Sequence, residues 1–268
     1  MSNGDVKVSI SAKSTSSIAT VTISNPARLN SLSTSILKSL VSTVNDLSTR
    51  DDLRALVVTG GPCSSTAQSF VGGADISELA AISQPETARA YITQLHLACR
   101  ALRDCAVPVL ARVNGIAMGG GLLIAAAADY RIALDSSSFG MPEVVRGVPS
   151  TIESAWLPGI IGSARARRLL MFGEIIDAKT AEQWGLVEKV VNQESFDAEV
   201  DRWIDHVLQL PVHAVKSQKR LMEVWERPDI PSAVDAGVWS FGQAFEKGEA
   251  QEQMKAFLNR RAGKTAKL

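Results

Sequence analysis

Apolar and polar residues alternate over residues 6–11 and again over 18–23, with a Ser/Thr-rich turn between them. This period of two predicts the strands of an opening hairpin. Asn25-Pro26 ends the second strand, because proline brings no N–H to a ladder. From Ser33, a hydroxyl N-cap, the spacing changes: Ile36, Leu37, Leu40, Val41, Val44 and Leu47 share one helical face. The run 55–59 reads as a short buried strand closed by Gly60-Gly61-Pro62, and a small polar loop then leads to Phe70-Val71-Gly72-Gly73-Ala74-Asp75. A helix over 85–104 and a strand over 108–113 follow.

The same grammar then repeats. Gly119-Gly120-Gly121 opens a helix running through Ala128, a strand covers 130–133, and a strand-like piece surrounds Phe139. Such alternation predicts an α/β fold built from ββα turns. From Ile176 onward the pattern is helical, with one strand over 186–191 and helices near 196–210, 212–225, 232–245 and 248–261. The expected organisation is a core over 1–195 and a helical lobe over 196–268 that packs on a partner subunit or back on the core.

Charge narrows the partners. Lys+Arg and Asp+Glu both total 28, so no net field favours nucleic acid or an anionic membrane. The longest apolar run, 122–128, is far shorter than the roughly 20 residues that span a bilayer, so a soluble protein is expected. Cys63, Cys99 and Cys105 lack metal-ligand spacing, and the N-terminus shows no cleavable signal pattern. A reducing compartment is expected, with the three cysteines buried as small apolar residues.

Gly119-Gly120-Gly121 before an Ala-rich helix puts unencumbered N–H groups at a helix N-terminus, where the macrodipole favours negative charge. Gly72-Gly73-Ala74-Asp75 is a second such turn, with Asp75 suited to cap the helix that follows. Two amide-donating turns aimed at one oxygen would stabilise an enolate; tight packing is the other use of such glycines.

Four segments carry a resemblance. Phe70-Val71-Gly72-Gly73-Ala74-Asp75-Ile76 is similar to F-x-A-G-A-D-I, and Val113-Asn114-Gly115-Ile116-Ala117-Met118-Gly119-Gly120-Gly121 to V-N-G-x-A-x-G-G-G. Phe139-Gly140-Met141-Pro142-Glu143 resembles F-x-x-P-E, and Ala181-Glu182-Gln183-Trp184-Gly185-Leu186-Val187 resembles A-x-x-x-G-L-V. These are patterns of the enoyl-CoA hydratase/isomerase (crotonase) superfamily, in the family's order and spacing. The resemblance implies a crotonase-like spiral of ββα units with a C-terminal helical trimerisation lobe, assembled as a homotrimer or homohexamer. It implies oxyanion amides at Ala74 and Gly120, a CoA pocket at Ala27 and Arg28, and an acyl-CoA substrate whose coenzyme A leaves no need for a separate cofactor. Asp75, Ile76 and Leu123 fall along the same substrate-binding segments.

The proton chemistry departs from the hydratase pattern. Hydratases of the family supply two glutamates; the second matches Glu143, but the first falls on Leu123, which can neither donate nor accept a proton. One carboxylate beside an oxyanion hole suffices for a 1,3-proton shift, so double-bond isomerisation with Glu143 as catalytic shuttle is the favoured expectation. A buried Glu143 should have a raised pKa. Two alternatives stay open: hydration or dehydration of a specialised acyl-CoA, such as mevalonyl-CoA in siderophore biosynthesis, and a non-catalytic protein that binds acyl-CoA. The loop 147–154 lacks the glycines of hydratases and carries Glu153, read as the N3 member of a capping box with Ser150 or, second, as a replacement acid.

The remaining candidates are bland. His96, His206 and His213 are scattered, Asp129 reads as a strand-end anchor, and no metal cluster or dinucleotide fingerprint appears. Ala266-Lys267-Leu268 is close to the Ser-Lys-Leu address read by the peroxisomal import receptor, which makes the peroxisome the expected compartment and the cytoplasm the alternative.

Overall fold

A computed structural model describes residues 4–13 and 16–226, together with separate positions between 238 and 259. The helix expected over 232–245 falls largely outside the described residues, and the C-terminal Ala-Lys-Leu entirely so, whereas the described positions from 250 to 259 are helical, as expected for the helix over 248–261.

The hairpin forms as expected from β1 (Asp5–Lys13) and β2 (Ser16–Ser24), paired antiparallel. The chain then builds a six-stranded sheet in the order β1-β2-β3-β5-β7-β10, adding β3 (Leu53–Gly60), β5 (Val109–Val113), β7 (Tyr130–Leu134) and β10 (Lys189–Val191). Beyond the hairpin every pairing in it is parallel. A four-stranded sheet, β4-β6-β8-β9, comprises β4 (Ser69–Val71), β6 (Ile116–Met118), β8 (Ser138–Gly140) and β9 (Ile175–Asp177). The three central turns, β3-β4, β5-β6 and β7-β8, thus each send one strand to each sheet before the next helix.

Strand alternation divides the core in two. Ala19, Val21, Leu56, Val58, Ala111 and Ala133 face the main core, while Ile18, Ala55, Val57, Leu110, Ile132 and Leu134 face the opposite side. The main core is closed by α1 (Thr34–Ser48), α3 (Pro85–Asp104) and α4 (Gly120–Ala126). The other face is covered by α8 (Phe196–Gln209), through Phe196, Val200, Ile204 and Val207. Ser33 caps α1 as expected, its Oγ accepting from Ile36 N at 3.3 Å. Asp129 anchors a strand end: its Oδ2 accepts from Val109 N at 2.7 Å and from Lys219 Nζ, on α9 (Val212–Glu226), at 2.6 Å. The helical tail packs back on the core, with Phe241, Phe245, Ala250 and Met254 buried in the main cluster.

Two expectations are corrected. Ser150 and Glu153 form no capping box: residues Ile152–Trp156 are a 3-10 helix with Thr151 at its N-cap and no side-chain cap. The reason is tertiary, since Ser150 turns to Glu143 and Glu153 to His96. Cys63 is only partly buried, beside Asn30, whereas Cys99 and Cys105 are buried as expected.

Candidate active site

The ends of β4, β6 and β8 meet at one cavity of about 650 Å³. Its wall includes Arg28, Ala74, Asp75, Ile76, Gly120, Leu123 and Glu143, so seven of the eight residues singled out from sequence come together. Ala27 is exposed and lies outside that lining.

Both glycine turns border the cavity. Ala74 forms an isolated parallel bridge with Leu32 in which Leu32 N donates to Gly73 O at 2.8 Å and Asp75 N donates to Leu32 O at 2.9 Å. The bridge therefore uses the groups on either side of Ala74 and leaves its own N–H directed away from Leu32. Gly120 is the first residue of α4, where a backbone N–H has no intrahelical acceptor. Among the described residues no hydrogen bond uses the N–H of Ala74 or Gly120. Two unspent donors thus border one cavity, one of them at a helix N-terminus.

Glu143 follows β8 and Pro142. Its side chain packs so tightly over Gly119 that a Cβ added there would lie 2.5 Å from Glu143 Oε1. Gly119 also has a positive φ of 52°, which disfavours any larger residue. The other oxygen, Oε2, accepts from Ser150 Oγ at 3.0 Å. Glu143 is half-buried and lines the cavity, and burial pushes its carboxyl above the usual carboxylate range. Its own backbone amide, the Ser150 hydroxyl and the Arg146 charge offset part of that rise. Leu123, almost fully buried, presents an alkyl group to the same cavity.

Asp75 is occupied otherwise. Its Oδ1 accepts from Ser77 N at 3.0 Å and Glu78 N at 3.3 Å, capping α2 (Ile76–Ala80) as expected. Both of its oxygens also accept from Arg28 Nη1, at 2.6 and 2.7 Å. Arg28 remains about two-fifths exposed and is a cation at the cavity rim. Of the two carboxylates among the described lining residues, Asp75 caps a helix and pairs with Arg28, whereas Glu143 accepts from Ser150 and feels the Arg146 charge.

Sequence reasoning missed Tyr91, Ile92 and Leu95 of α3, Arg146 and Ser150, and the tail residues Phe241, Met254 and Leu258 that close the cavity. An apolar stripe on a helix looks the same whether it faces core or cavity, so only Ser150, seven residues after Glu143, carried a local hint. His206 and His213 are exposed, away from the cavity.

Two unspent amide donors, a carboxyl with a raised pKa and an apolar cavity with a cationic rim are an arrangement that can chemically hold a developing oxyanion and move a proton. The chain belongs to the enoyl-CoA hydratase/isomerase family, whose model matches residues 13–265. It is 32% identical over 245 residues to the crotonyl-CoA hydratase of Syntrophomonas wolfei, covering 91% of this chain and 92% of that protein. It is 31% identical over the same length to the short-chain-enoyl-CoA hydratase of Clostridium acetobutylicum, with the same coverage. The solved enoyl-CoA hydratase/isomerase of Xanthobacter autotrophicus superposes with a TM-score of 0.82 at 25% identity, over 97% of this chain and 95% of that one. An enoyl-CoA hydratase from Bacillus halodurans superposes with a TM-score of 0.83 at 20% identity, a likeness of fold. The crotonase-type α/β fold and membership in an acyl-CoA enzyme family are thereby established.

Proposed function

We propose that this protein moves a double bond in an enoyl-CoA thioester, using Glu143 as its single proton shuttle. The observation that carries the reading is the pairing, in one cavity, of Glu143 with Leu123 where hydratases of the family place a second glutamate. The Glu143 carboxylate takes a proton from C2 of a 3-enoyl thioester, and the electron pair moves onto the thioester oxygen, which the Ala74 and Gly120 amides hold. The same carboxyl returns its proton to C4 as the enolate collapses to the 2-enoyl product. Atoms and charge balance without water or a separate cofactor. The raised pKa of Glu143 suits a group that must both accept and return a proton. Arg28 at the rim suits the CoA phosphates.

A second reading, hydration or dehydration, draws support from the relatives, which are named hydratases. In it Glu143 alone handles the C2 proton and water or the departing hydroxyl exchanges the other. Substitution Glu143→Gln separates enzyme from binding module: we expect a loss of about 10²–10⁴-fold in turnover with acyl-CoA binding retained. Full turnover in that variant would overturn the shuttle. The trimeric or hexameric assembly and the peroxisomal address belong to this proposal as expectations, tested by light scattering and by localisation with and without the last three residues.

A further inference from the structure

Glu153 has no exposed surface. Its Oε1 lies 2.5 Å from Nδ1 of His96, its Oε2 makes no hydrogen bond among the described residues, and the buried Cys99 thiol is the carboxylate's other polar neighbour. A carboxylate so enclosed is costly to bury unless it is paired, and removing one partner leaves the other exposed to that cost. The pair joins two walls of the cavity. Thr151, Ile152 and Ser154, around Glu153, line it from one side, and Ile92 and Leu95, on the helix that carries His96, line it from another. A second tie runs parallel, the Arg103 guanidinium lying 4.4 Å above the Trp156 ring.

What the ties hold is strained. Ile152 has a φ of 48°, a conformation a β-branched residue seldom adopts and one that persists only where its surroundings enforce it. Its side chain is part of the cavity wall. Glu153 itself does not line the cavity, so it is badly placed to serve as the carboxyl that Leu123 lacks.

We infer that Glu153 and His96 are positioning residues that pin the 151–154 wall against α3 and so set the length of acyl chain the cavity accepts. The inference rests on the acyl-CoA reading of the cavity. Calorimetry on the full chain tests it, with CoA alone and with saturated butyryl-, octanoyl- and dodecanoyl-CoA, which bind without turning over. In Glu153→Ala and His96→Ala, CoA alone should bind as in the wild type, while the octanoyl-to-butyryl affinity ratio shifts by about tenfold or more. Glu153→Gln and His96→Gln, which can still hydrogen-bond across the gap, should restore the ratio to within about threefold of wild type. Should Glu153→Ala fail to fold, His96→Ala, at a partly exposed position, carries the same comparison. An unchanged ratio in folded His96→Ala would overturn the inference alone. A Glu153→Gln variant with wild-type ratios but turnover reduced about a hundredfold would overturn it in favour of proton transfer. A wild type that binds none of the thioesters would overturn the acyl-CoA reading, and the inference with it.

Discussion

Replacing Gly119 by alanine perturbs stability and chemistry through separate physical terms. The φ of 52° at Gly119 strains any L side chain, which costs about 1–3 kcal/mol. For a chain of this size that is a fall in Tm of roughly 2–4 °C per kcal/mol. The new methyl group would also sit 2.5 Å from Glu143 Oε1, where ordinary contact begins near 3.4 Å. The carboxyl is the free end of a flexible side chain, so it yields at little cost to folding, but it must retreat by about 1 Å, a misplacement worth on the order of 10²-fold in rate. Gly162→Ala is the control: Gly162 has a φ of 82° and no neighbour within 4 Å of its would-be Cβ, so it carries the strain without the clash. Thermal melts and steady-state turnover of both variants on enoyl-CoA substrates decide the matter. Both should lose stability, and only Gly119→Ala should lose about a hundredfold in kcat. Wild-type kcat in a folded Gly119→Ala variant would refute the placement of the Glu143 carboxyl.

Other consequences follow from the same geometry. Because burial raises the folded-state pKa of Glu143, its neutral form favours folding; that stability is fully present below the unfolded pKa and is lost as pH rises through the folded one. The Tm of Glu143→Gln relative to wild type should therefore be more favourable at pH 8 than at pH 4, and the reverse order in paired melts would contradict the assignment. Ser150→Ala removes a donor that holds the carboxyl down, so the acid limb of the kcat/KM profile should move to higher pH; an unmoved limb would show that this hydrogen bond does not reach the reacting state. Leu123→Glu places a second carboxyl in the cavity and should introduce or raise hydration of 2-enoyl-CoA, read as loss of enoyl thioester absorbance. No gain would mean that the wall around Ile152 excludes the water.

Much of the framework was legible because it is local. The hairpin, α1 with its Ser33 cap, the long α3 and the strand-turn-helix at Gly119 each carry their period and punctuation within a dozen residues. The helix α6 (Ser163–Phe172) was not, because only Ala166 and Leu169 are buried and two such positions make no stripe. The three-residue β4 and β9 are too short to show alternation, and β9 joins its sheet antiparallel to β8. At the site, Glu143 and both glycine turns could be found from their segments. Ser150 was misread as a cap and Glu153 as its partner because the true partners are tertiary. Glu153 meets a histidine 57 positions away, a separation on which no local pattern bears.

The central claim is that one carboxyl moves a proton along the acyl chain without water entering the product. Mass spectrometry on protein incubated separately with 3-enoyl-CoA, 2-enoyl-CoA and a 3-hydroxy-3-methylacyl-CoA tests it most directly, first in water labelled with heavy oxygen and then in deuterium oxide. The account predicts migration of the double bond from the 3-enoyl substrate, with deuterium entering the acyl chain wherever Glu143 exchanges its proton before returning it, and no heavy oxygen in the product. Gain or loss of water by any of the three substrates, without migration, would contradict it and make the protein a hydratase or dehydratase that works with Glu143 alone.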